Sequence, residues 1–242
     1  MMRERRSTRR QLPWNAHFKP HPIEKHARRE VRNAPTIQLK CAGDMRCWHS
    51  LPAVTLNPSA EVTAAFLTIV ARSYRAAAAH VCELPYGRNS DIDDPLIVIR
   101  EGRGTCSTKH ALLRRLAIEQ ELEVRLFIGI YEMSGHNTPG VGPVLRHYSL
   151  AALPEAHCYL RMAEIRVDVT GIFGQSAGDA PIRILQEKEI TPEQIGAHKR
   201  SMHRNYLRGW ASEVGLRYTI DELWSIREEC IRAISDASVK ST

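Results

Sequence analysis

The chain has 242 residues, 43% of them hydrophobic, and a formal charge of +7, enough for one good core with at most a small appendage. That charge does not define a nucleic-acid or membrane-binding body, because residues 1–35 carry ten Lys/Arg against three acids while residues 36–242 balance 24 against 24. No apolar run approaches the roughly 20 residues that span a bilayer, and no hydrophobic segment follows the N-terminal arginines as in a secretory signal. Residues 1–35, basic and Pro-bearing, are expected to be a disordered tail. Met45 is an alternative start, an idea that a native peptide from the first 30 residues would exclude. Residues 36–242 read as a single domain with a C-terminal helical extension from about residue 190. The expected compartment is the cytoplasm, where the six cysteines stay reduced.

Asn57-Pro58 reads as a helix cap followed by Pro at the first helical position, and the apolar spacing predicts a helix from about Ser59 to Cys82. A loop through Pro85, Gly87 and Asn89 follows, then a short apolar run from Leu96 to Ile99. Gly102 and Gly104 precede a second helix that opens at Thr105 or Cys106 and continues to about Glu121. Strands are expected at Glu123–Met133, Tyr148–Leu150, Ala156–Met162 and Ile165–Val169, with Ser134–Pro143 as an exposed loop. Thr191-Pro192-Glu193-Gln194 and Thr219-Ile220-Asp221-Glu222 are capping boxes that open two C-terminal helices, running to about Val214 and Ile234. The order is that of an α+β fold.

Cys106 stands where a helix begins. Unpaired N–H groups and the positive end of the helix dipole favour a thiolate there and can hold an oxyanion. A buried structural cysteine fits the same local pattern. The segment Ala156–Val169 can form a hairpin about Ala163-Glu164, in which paired positions sum to 327. In that register His157 and Asp168 are diagonal neighbours on one face, whereas an odd-length loop or a bulge would put them on opposite faces. A carboxylate against one imidazole nitrogen fixes the tautomer and supports the charged ring.

Three stretches together resemble the transglutaminase-like superfamily: Gly104-Thr105-Cys106-Ser107, Glu155-Ala156-His157-Cys158-Tyr159 and Arg166-Val167-Asp168-Val169-Thr170. The resemblance covers about residues 84–171. It implies a papain-like α+β core, with the nucleophile at a helix N-terminus packed on an antiparallel sheet. It also implies a Cys–His–Asp triad at Cys106, His157 and Asp168. Cys158 stands where an aromatic often follows the histidine, and the C-terminal helices have no counterpart in the compact family core. Arylamine N-acetyltransferases share the order and fold of the triad.

Tyr86, Arg88 and Asn89 are candidates for substrate or oxyanion contacts, as are His110 and the loop residues His136 and Asn137. Each also has a plain reading, as a turn residue, a helix-packing histidine or a solvated connection. Cys158 reads as core, and Lys109 and Ser107 as ordinary first-turn residues. Cys41, Cys47 and His49 match no zinc spacing, and no phosphate loop or dinucleotide pattern occurs, so no metal or cofactor is expected. The function so implied is acyl chemistry through a thioester on a peptide or small amide or ester, by hydrolysis or by transfer to an amine. A non-catalytic binding module on the same fold is the alternative, and a nucleic-acid binder using the basic tail is disfavoured by the neutral body.

Overall fold

A computed structural model describes residues 47–58, 60–69, 71–170 and 182–239. The expected tail, its boundary at residue 35, Cys41 and Met45 lie outside the described residues. The fold is α+β. Its helices are α1 (Glu61–Thr68), α2 (Tyr74–Glu83), α3 (Ile97–Glu101), α4 (Cys106–Glu119), α5 (Val141–His147), α6 (Ala197–Glu213) and α7 (Ile220–Val239). Strands β1 (Arg125–Ser134), β2 (Ala152–Met162), β3 (Ile165–Val167) and β4 (Ile184–Ile190) form an antiparallel sheet in the order β3-β2-β1-β4.

The long helix expected from residue 59 is two helices. Ser73 is extended, accepts from the Ala76 N–H at 3.2 Å and so caps α2, while Thr55 bridges to Ser73 and holds the break in place. Nor does Asn57 cap α1. The first N–H groups of that helix donate to the Glu119 carboxylate at the end of α4, Val62 at 3.0 Å and Thr63 at 2.7 Å. The apolar run at 97–99 is helical, and it stops at Gly102, whose φ of +61° suits a residue without Cβ.

Tyr148–Leu150 is not a strand. Residues 141–147 form α5, which begins in the last three residues of what read as an exposed loop, and Ser149 follows it in the left-handed region at φ 55°. Strand β4, which pairs with β1, has no apolar alternation and was not anticipated; three of its seven positions are exposed and only Ile190 is buried. Thr191 and Gln194 do form a capping box, but on a short 3-10 turn at Pro192–Ile195, and α6 starts only after Gly196. The hairpin register is as expected: Met162 pairs with Ile165 and Leu160 with Val167.

The two faces of the sheet carry separate apolar clusters. Leu126, Ile128, Ile130 and Leu160 pack with Leu112, Leu113 and Leu116 of α4 and with Phe66 and Tyr74. Tyr131, Met133 and Leu153 pack with α5 and with Leu223, Ile226 and Ile231 of α7. Each fully buried aliphatic side chain contributes about 1.5–3 kcal/mol, so α4 is held against the sheet along most of its length. Among the described residues no helix is long and apolar enough to cross a membrane.

Candidate active site

Thr105 caps α4 reciprocally with Thr108, so the helix begins at Cys106. The approach to it is tight. A Cβ at Gly104 would lie 2.9 Å from Lys109 Cγ and 3.1 Å from Val98 Cγ2. Gly104 also bonds the backbone of 85–87, with its N–H donating to Pro85 O and its O accepting from Gly87 N–H, both at 3.2 Å. This pairing sets Tyr86 beside the start of α4.

His157 lies on β2, and its Nε2 is 2.6 Å from Asp168 Oδ2, just beyond the end of β3. Asp168 Oδ1 accepts from the backbone N–H of Thr170 at 2.6 Å and from its hydroxyl. With Nε2 committed to Asp168, Nδ1 is left for the sulfur of Cys106, with which the imidazole also hydrogen-bonds. Burial would lower the His157 pKa, but the Asp168 carboxylate and then Cys106 overcome it and push the ring up to about 10. Burial opposes ionisation of Asp168 too, yet His157 holds its carboxyl down at about 2. The Cys106 thiol is held well below its ordinary range by a hydrogen bond from the Cys158 thiol, which outweighs burial, and then by Lys199 and His157. The arrangement is a buried thiolate–imidazolium pair backed by a carboxylate.

Sequence reasoning missed two members of this site. Lys199, in the first turn of α6, is buried and places Nζ 3.5 Å from Cys106 Sγ and 2.8 Å from Ser107 Oγ. Burial works against its charge, but Cys106, Cys158 and Glu155 together more than offset that, so its pKa is raised. Cys158 is wholly buried in the core, as expected, but its sulfur also lies 3.7 Å from Ser107 Oγ. The hydrogen bond to Cys106, followed by burial, drives its pKa well up, so it remains a thiol donor. Ser107 and Lys109 are not ordinary first-turn residues either. Ser107 joins Lys199 to Cys158, and the buried Lys109 ammonium donates to Leu84 O at 2.5 Å. No periodicity signalled Lys199, the third residue of a helix that starts after Gly196 with no side-chain cap of its own.

In front of Cys106 lies a cavity of about 390 Å³, within the range of small-molecule sites. Tyr86, Arg88 and Asn89 line it, as do Lys199, Trp224 and Arg227 from α6 and α7. Asn89 is fixed by Thr108 Oγ1 donating to its Oδ1 at 2.7 Å. Arg227 is tied to the buried Glu155 through two hydrogen bonds, and Arg88 pairs with Glu228. The C-terminal helical extension is therefore one wall of the cavity. His110 does not line it. Its ring is buried, with Nδ1 2.8 Å from Cys106 O and Nε2 accepting from the Val169 N–H at 3.0 Å. His136 and Asn137 do not line it either; Asn137 closes the turn after β1 by bonding Ser134 N and Glu132 O. Trp224, whose ring is 5.4 Å from the Arg204 guanidinium and 5.2 Å from that of Arg227, packs against the second apolar cluster and also borders the cavity. Among the described residues no group of His, Cys, Asp or Glu could hold a metal ion. No protein-family model, curated protein or solved structure matches the chain.

Proposed function

We propose that this protein is a cysteine-dependent acyl-group enzyme of the transglutaminase-like kind, acting on an amide or ester through a thioester at Cys106. The observation that carries the reading is the connected line from the Cys106 sulfur through the His157 imidazole to the Asp168 carboxylate, 2.6 Å from the ring. Its Cys106 end lines a cavity large enough for a small acyl group. A helix-borne cysteine beside an antiparallel sheet that carries the histidine agrees with the core that the sequence resemblance implies.

In this reading the thiolate attacks the carbonyl carbon, forming the C–S bond, and the carbonyl electron pair moves to oxygen. N–H groups of the first turn of α4 lack intrahelical acceptors and face that oxyanion. Collapse of the intermediate breaks the bond to the leaving amine or alcohol, which takes the proton from His157. His157, now neutral, draws a proton from water or from an acceptor amine, which attacks the thioester and regenerates the thiolate. Asp168 keeps the ring oriented and supports its charge throughout.

The test is the pH dependence of iodoacetamide alkylation, resolved by peptide mass spectrometry, with the half-buried Cys82, which forms no disulfide, as internal reference. Cys106 should label faster than Cys82 at mildly acidic pH, and His157→Ala should slow it by at least about tenfold at pH 6. Labelling of Cys106 no faster than Cys82 in a folded protein would refute the reading and favour a binding module.

A further inference from the structure

The cavity beside Cys106 is cationic. Arg88, Lys199, Arg200 and Arg227 line it against one acid, Glu228. Two of these cations are matched by protein carboxylates, Arg227 by Glu155 and Arg88 by Glu228. Lys199 has the Cys106 sulfur and the Ser107 hydroxyl beside its charge, while the Glu155 carboxylate, already bonded to Arg227, acts on it from beyond hydrogen-bond reach. Among the described residues, the exposed Arg200 side chain has no hydrogen bond or ion pair. Both residues stand in the first turn of α6, where cations oppose the helix dipole. Lys199 meets the first turn of α4 at Cys106 and Ser107, and residues of both first turns line one cavity with the two cations.

Acylation sharpens this imbalance. When the thiolate forms the C–S bond it becomes a neutral thioester and His157 gives up its proton, so Lys199 loses its nearest negative neighbour and keeps only the Glu155 carboxylate that it shares with Arg227. A buried cation that is only partly matched is disfavoured. A substrate that brings its own negative charge removes that cost.

We infer that the acyl group accepted by Cys106 carries a carboxylate, held by Lys199 and Arg200 at the first turn of α6. This inference rests on the acyl-enzyme reading above and names its class of substrate: an acid whose second carboxylate lies within a few bonds of the reacting carbonyl.

Iodoacetate and iodoacetamide test it, because both alkylate the same thiolate, forming an S–C bond with loss of iodide. Their rate ratio at Cys106 is therefore independent of how much thiolate is present. In the full-length protein at low ionic strength, the iodoacetate-to-iodoacetamide ratio at Cys106 should exceed that of glutathione in the same buffer by about tenfold, and should fall with added salt. Arg200→Gln and Lys199→Gln should each lower the ratio, with circular dichroism confirming that the variants fold. Glutarate should protect Cys106 from iodoacetamide, whereas glutaramide should not. A ratio at or below that of glutathione, with rapid iodoacetamide labelling, overturns the carboxylate subsite and leaves the nucleophile standing. So does a raised ratio that Arg200→Gln does not change. Failure of both reagents to label Cys106 overturns the subsite and the acyl-enzyme reading together.

Discussion

The backbone N–H of Val169 donates to Nε2 of His110 at 3.0 Å, which ties the Cys106 helix to the segment that carries Asp168. The same ring places Nδ1 2.8 Å from the Cys106 carbonyl. A nitrogen that accepts from a backbone N–H cannot hold a proton, so the proton sits on Nδ1 and His110 is neutral. Burial, the largest influence on it, keeps its pKa down at about 4. His110 thus spaces the nucleophile from the carboxylate with two fixed hydrogen bonds.

Replacing His110 with Ala leaves a cavity and an unpaired buried N–H, and should destabilise the protein by about 2–4 kcal/mol. Because α4 and residue 168 would no longer be tied, Cys106 labelling at acidic pH should also slow. Urea denaturation and the alkylation profile check the two effects. A variant that loses stability while keeping the wild-type profile would show that the tie does not position the pair.

Asp168→Asn keeps the shape but removes the charge that, against burial, supports the His157 imidazolium. The ring should fall from about 10 toward its ordinary value. With less imidazolium beside it, Cys106 should ionise at higher pH, and the acid midpoint of its alkylation should move up by about one pH unit or more. A midpoint that stays in place would mean that Asp168 contributes nothing to the charge of the pair.

Gly104→Ala drives a methyl into Lys109 and Val98, where the spacing is 2.9–3.1 Å. Overpacking of this kind costs about 1–3 kcal/mol. The strain falls on the residue before the Thr105 cap, so Cys106 alkylation should drop along with the thermal midpoint. A variant as stable and as reactive as wild type would contradict the close approach at this turn.

Stability should be greatest between about pH 6.5 and 9, the ordinary values of the groups involved. Within that window the fold binds one extra proton at His157 and one fewer at Cys106 relative to the unfolded chain, so the two effects cancel. Below 6.5 the unfolded chain takes up protons that the fold excludes, at Cys106 and at His110, whose folded value is about 4. Stability therefore falls with acid, and falls further as Asp168 is protonated on the way from 3.8 down to about 2. Above 9 the unfolded cysteine is ionised as well, and the raised His157 loses its contribution as pH passes through about 10. Urea midpoints at pH 5, 7.5 and 10 check this; a protein equally stable at 5 and 7.5 would rule out the depressed Cys106 and His110.

The helix start at Cys106 was legible because a capping Thr and two glycines act locally. The His157–Asp168 neighbourhood was legible too, because strand alternation and a two-residue turn fix a register without reference to anything else. These features depend on residues close in sequence, and so does the α+β order of elements. The remainder required the tertiary fold. Glu119 caps α1 from 56 residues away, so the helix start at Glu61 carries no cap of its own. Lys199 reaches the Cys106 sulfur across 93 residues, and nothing in the amphipathic spacing of its helix distinguishes it from a solvated lysine. His110 reads as a possible substrate contact until packing buries it. The cationic wall of the cavity exists only because α6 and α7 fold back over the start of α4. Contacts of that kind are selected by packing and charge compensation in three dimensions, and those forces leave no periodic trace in the chain.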